Sequence, residues 1–149
     1  MGGTEPVVFR RPVSVLVVVY TEDGLALLLK RANPIEMWQS VTGSLEPGES
    51  HADAAARELF EETGLSDQGV LESTGVTRQF TIDPRWQRRF APGVVENAED
   101  EWHYRLPSAT AIVLSETEHI DHCWLPINEA VDKVWSWTNR DALQKLNVP

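Results

Sequence analysis

Within the segment GSLEPGESHADAAARELFEETGL, an arginine and several acids recur at fixed spacing: Glu49, then Arg57 and Glu58, then Glu61 and Glu62. On a helix advancing by about 100° per residue, Glu58, Glu61 and Glu62 fall within one arc of about 100°. Like charges three or four residues apart destabilise an exposed helix by about 0.2–0.5 kcal/mol per pair. Arg57 offsets part of that cost. A hard divalent cation offsets far more, and an all-oxygen ligand set suits Mg²⁺ or Mn²⁺. The competing reading is a solvated acidic face. The extent of the ordered spacing, from Gly43 through to Leu65, argues against it.

Local signals define the element that carries these acids. Ser50 with Asp53 three residues on is a helix-start signature, Pro47 and Gly48 before it suit a loop, and Gly64 is a natural terminator. The spacing predicts a helix over residues 51–63, with Ala52, Ala56, Leu59, Phe60 and Thr63 turned away from the acids towards a core. Gly43 is expected to let the preceding strand end turn towards that helix.

Around it, residues 12–20 (PVSVLVVVY) read as a buried strand, residues 21–24 as a turn and residues 25–31 as the returning strand. A third strand is predicted over residues 38–45 and a long one over residues 70–80. Residues 83–100, with two prolines, a glycine and both charge signs, read as a surface excursion. Short strands are predicted at residues 102–106, 110–114 and 120–125, a short helix at 128–133, and a last helix at 140–146 opened by Thr138. Strands flanking one mid-chain helix, with a helix closing the chain, define an α/β layered domain with a mixed sheet.

The segment from Gly43 to Leu65 resembles the Nudix box, G-x5-E-x7-R-E-U-x-E-E-x-G-U with U aliphatic, without a departure. The resemblance implies a Nudix-type α/β/α sandwich and metal-dependent cleavage of a diphosphate linked to another group. Other stretches in order along the chain, RRPVSVLVVVY, WQSVTGS, RRFAPGV, TEHIDHCWL and WSWTNR, resemble the bacterial dihydroneopterin triphosphate pyrophosphatases within that family. That likeness implies cleavage of 7,8-dihydroneopterin triphosphate to the monophosphate and pyrophosphate, in folate synthesis. It implies metal binding by Glu58, Glu62 and Glu118, and substrate contacts from Arg10, Lys30, Thr42, Phe80, Thr81, Ile82, Asp83 and Ser136. Arg10 stands where that group is expected to carry lysine, and the loop over residues 34–37 is one residue longer. Glu61 is read as a further ligand or as the group that deprotonates water, and Arg57 as the residue that orients a glutamate.

Composition narrows the partners. The 149 residues suffice for one domain, residues 1–149, and the net charge of −10 argues against a nucleic-acid or anionic-membrane surface. A small triphosphate remains compatible, because bound metal reverses the local field. The single cysteine, Cys123, is read as core, and no intramolecular disulfide can form. With no run of about 18 apolar residues and no signal-peptide layout in MGGTEPVVF, a cytoplasmic location is expected.

Two sets of aromatic residues have two readings each. Trp86 and Phe90, among Arg85, Arg88 and Arg89, serve loop packing or gate a substrate. Trp135 and Trp137 pin the last helix or form a flat wall for a heterocycle. Two other functions fit the box: a housecleaning hydrolase for modified nucleoside triphosphates, and a non-catalytic sensor, which would tolerate loss of the acids retained here.

Overall fold

The valine-rich run near the N-terminus becomes the hub of a seven-stranded mixed sheet among the described residues. The structure, a computed structural model, describes residues 8–146; residues 1–7, part of the opening read for an export signal, lie outside them. Strand β1 (Val13–Thr21) is buried along almost its whole length. It pairs antiparallel with β2 (Leu25–Arg31) near its end and with β4 (Val41–Ser44) near its start. On its other side it pairs parallel with β6 (Glu96–Leu106). β3 (Met37–Gln39) and β7 (Asp121–Pro126) add to β2, and β5 (Val70–Thr81) adds to β6.

Side chains alternate across a strand, so β1 feeds two cores. Val15, Val17 and Val19 face helix α1 (His51–Thr63) with Leu27, Leu29, Tyr104 and Leu106. Leu16 and Val18, with Ala26 and Leu28, face α2 (Ile127–Lys133) and α3 (Trp137–Gln144) through Ala130, Ala142 and Leu143. Helices cover both faces, as the α/β/α expectation required. No helix among the described residues is long and apolar enough to cross a membrane.

Helix α1 has the predicted limits and caps. The Ser50 hydroxyl accepts from the Asp53 N–H, and Gly64 takes φ 76°. Its phase differs from the expectation. The buried residues are Ala54, Ala55, Glu58, Leu59, Glu62 and Thr63, whereas Phe60 is 60% exposed and Ala52 and Ala56 face solvent. Two of the acids therefore share the core-facing side rather than opposing it.

Four other expectations are corrected. The strand over residues 38–45 is two strands with different partners, broken at Ser40, whose N–H donates to Asn139 Oδ1 (2.7 Å). The excursion is short: a 3-10 helix (Pro84–Arg89) follows β5, and by Glu96 the chain is in the long strand β6. Residues 110–114 form no strand; Val113 N–H instead donates to the Thr63 carbonyl in the last turn of α1. α3 begins at Trp137 because Ser136, not Thr138, caps it, accepting from the Asn139 N–H.

Candidate active site

Arg57 is the knot that ties the acids to the loop before α1. Its Nε and Nη2 donate to both oxygens of Glu49 (2.7 and 2.8 Å), and Nη2 also donates to the Ser44 carbonyl (3.1 Å). Its Nη1 donates to Glu58 Oε1 (2.7 Å) and reaches Glu61 Oε2 (3.3 Å). Paired charge-assisted bonds of this kind fix direction as well as position, so Arg57 aims Glu58. Gly43 serves the same aim. It does not turn the chain through positive φ; it is a glycine because a Cβ there would collide with the Glu58 carboxyl.

Hydrogen bonds from Arg57 hold the Glu49 carboxyl at about 2, against burial acting the other way. A carboxyl lowered in the folded state contributes stability above its ordinary titration range, and that stability is lost as pH falls through its folded value. Glu49→Gln is therefore expected to lower the melting temperature at pH 7, with the gap to the parent protein closing between pH 4.5 and about 2. Melting curves across that range check it; a gap independent of pH would remove the ion pair as its cause.

Glu62 lies deeper, with no exposed surface and neither oxygen hydrogen-bonded among the described residues. Burial, then the adjacent Glu58 carboxyl and the Glu118 charge, push its pKa well above the usual range, and Arg31 opposes them. Burial likewise raises Glu58, against its bond from Arg57 and the adjoining Glu62 carboxyl. His119 Nε2 approaches Glu62 Oε1 to 3.5 Å. Burial, with help from Arg31, holds that imidazole at about 4, so it is neutral and the contact is not an ion pair.

An unpartnered buried carboxylate is costly unless a cation completes it. Glu62, Glu118 and His119 bring ligand atoms within 4.8 Å of one another, and Glu58 adjoins Glu62. This donor set, carboxylates with a neutral imidazole in reach, fits a divalent cation.

Glu58 and Glu118 line a cavity of about 460 Å³. Arg10 and Arg31 line it too, close enough to feel the charge of Glu118. Arg10 and Arg31 are lowered chiefly by burial and by the charge of Arg89, with Arg31 acting on Arg10 too, and both feel Glu118. The Arg10 and Arg31 guanidiniums, beside a cluster of carboxylates, form a phosphate-binding arrangement once a cation neutralises the acids. Trp86 and Trp135 stack at 5.3 Å and 12° and form part of the wall, with Arg85 over both rings.

Most of the expected site residues converge here. Thr42, Phe80, Thr81, Ile82, Asp83 and Ser136 line the cavity with Arg10, Glu58 and Glu118. Thr42 also donates to the Val15 carbonyl, and Asp83, gripped by Arg85, titrates at about 2. Glu62 lies behind the wall and Arg57 behind Glu58. Glu61 is half exposed and does not line the cavity. Lys30 lies apart, against Glu36 and the Trp38 ring, and its neighbour Arg31 lines the cavity instead. Sequence reasoning gave no role to His119, Asn97 or Glu99; the last two lie on a strand whose start read as surface loop.

The fold and this acid-bearing helix define a hydrolase class: the chain belongs to the NUDIX domain family, whose model matches residues 10–146. Members of that family generally use a divalent metal. The chain is 39% identical to the dihydroneopterin triphosphate diphosphatase of Escherichia coli K12, over 93% of this chain and 94% of that one. It is 33% identical to the enzyme of the same name from Haemophilus influenzae, over 92% and 88%. The solved E. coli dihydroneopterin triphosphate pyrophosphohydrolase superposes with a TM-score of 0.87 at 39% identity, covering 94% of this chain and 97% of that one.

Proposed function

We propose that this Nudix hydrolase cleaves 7,8-dihydroneopterin triphosphate to the monophosphate and pyrophosphate. The observation that carries the reading is the lining of one cavity, which combines paired arginines and clustered acids with polar side chains and the stacked Trp86 and Trp135 rings. Relatives of that name match over nearly the whole chain. Glu58, Glu62 and Glu118 would hold Mg²⁺, with Mn²⁺ as a substitute. When bound, the metal neutralises phosphate charge and makes water a better nucleophile.

The chain's own residues supply the rest. Arg57 fixes Glu58 in direction, Arg10 and Arg31 hold phosphate oxygens, and Phe80, Trp86 and Trp135 enclose the flat ring. The substrate is a free small molecule, and the lone cysteine suits a reducing, cytoplasmic setting.

The test is kcat/KM on dihydroneopterin triphosphate and on dATP at matched Mg²⁺, with the phosphate product identified by mass. A preference of about tenfold or more for the pterin is expected, because a site that hydrogen-bonds a ring rejects a ring lacking those groups. Pyrophosphate, not inorganic phosphate, should be released. Equal or better turnover of dATP would favour the housecleaning activity, with the same metal chemistry.

A further inference from the structure

Three elements that line the cavity are joined by a buried arginine that does not line it. β5 contributes Phe80 to the lining, β6 contributes Asn97 and Glu99, and α3 with its cap contributes Ser136, Thr138 and Asn139. Arg78 lies on β5 two residues before Phe80, on the same face, because side chains two apart on a strand share a face. Its Nη1 donates to Glu101 Oε1 on β6 (2.7 Å), and its Nε donates to Asp141 Oδ2 on α3 (2.7 Å).

Both partners are themselves braced. His103 Nε2 lies 2.7 Å from Glu101 Oε2, and Lys145 Nζ lies 3.2 Å from Asp141 Oδ2. Apolar packing through Ala142 and Leu143 ties α3 to β1 and α2, and Ser40 holds Asn139 through two bonds (2.7 and 2.9 Å). Between α3 and β5, Arg78 to Asp141 is the only hydrogen bond among the described residues. Stability does not account for it. A buried ion pair is commonly no more stabilising than apolar side chains of the same volume, and Arg78 Nη2 is buried without a partner among the described residues. A planar guanidinium with its donors in a fixed fork supplies direction instead.

We infer that Arg78 is a positioning residue for the substrate: by holding Glu101 and Asp141 at once, it sets how far the start of α3 stands from β5 and β6, and with that the width of the cavity they line. Arg78 does not itself meet the substrate; it acts through the lining side chains of the elements it joins. The inference rests on the reading that this cavity holds the substrate, and it adds what keeps the cavity to size.

The main variant is Asp141→Ala. Asp141 is partly exposed, alanine favours the helix, and Arg78 keeps Glu101, so the fold is retained. KM should rise at least about fivefold with kcat within about twofold of the parent, because a displaced wall weakens the ground state and the transition state alike. Arg78→Lys, which keeps the charge and loses the fork, should raise KM in the same way. The double variant should raise it no further than the larger single one, because both remove one contact. The rise in melting temperature on adding Mg²⁺ should match the parent's in Asp141→Ala, because Glu58, Glu62 and Glu118 make no bond to the pair. A lower melting temperature with KM unchanged would assign the pair to the fold alone and overturn the inference, as would a fall in kcat with KM unchanged. Both constants are measured on dihydroneopterin triphosphate and on dATP. If the parent prefers dATP while Asp141→Ala still raises its KM, the proposed substrate fails and the role of Arg78 stands.

Discussion

Glu62→Gln is expected to lower kcat at least about a hundredfold, the scale seen when one preorganised electrostatic group is removed from an active site. The side chain has no exposed surface and no hydrogen-bond partner among the described residues, so the fold gains little from its charge. The isosteric amide removes that charge from beside Glu58 and Glu118. The melting temperature in the absence of metal should therefore hold or rise. A ligand bound only by the folded state stabilises it in proportion to occupancy, so the rise in melting temperature on adding Mg²⁺ should shrink in the variant. These three readouts separate a metal-binding role from a structural one. A variant retaining more than about a tenth of the parent kcat would take Glu62 out of the transition state.

Leu59→Ala should act in the opposite sense, on stability before chemistry. Leu59 is 2% exposed and packs with Val15, Val17, Leu27 and Ala55 in the core beneath α1. Truncating a buried leucine costs about 2–5 kcal/mol. In a domain of this size each kcal/mol lowers the melting temperature by about 2–4 °C, so a drop of at least about 4 °C is expected. Phe60→Ala is the control: its ring is 60% exposed, and its melting temperature should barely move. Thermal melts of both variants check the helix phase directly. Equal losses would place Phe60 in a contact absent from the isolated chain.

Helix α1 was legible because its ends and its acids are written in local code: a serine cap, a terminating glycine and a spacing that survives without tertiary context. Its exact facing was not. The sequence sets Glu58 and Glu62 on a cation-binding face opposite the core, yet they are buried on the same side as Leu59. The same inversion hid β6. Its inward positions include Asn97, Glu99 and Glu101, so the alternation of burial is present while the alternation of hydropathy is missing. Glu101 is buried because it pairs with Arg78 (2.7 Å), which also holds Asp141 on α3. The break at Ser40 depends on Asn139, 99 residues away, and no local pattern contains it. Residues 110–114 are apolar enough for a strand but have no strand partner. Lys30 is the expected substrate contact, but Arg31 beside it lines the cavity, and which of the two does so depends on how β2 ends. Local rules fail most where side chains serve a ligand instead of the core.

The parallel pairing of β1 with β6 governs when this protein can fold. Ser14 and Asn97, joined at the cavity, lie 83 residues apart in sequence, with β2, β3, β4, α1 and β5 made in between. Contacts of such long range must pay loop-closure entropy before they return any stability, which slows folding. During synthesis, β1 therefore waits with one edge open while α1 is already formed and its core face already apolar. An open, valine-rich edge is a template for pairing with another chain. A chain interrupted before Glu96 would lack the strand that closes that edge, and its expected fate is association with other chains rather than a smaller working domain.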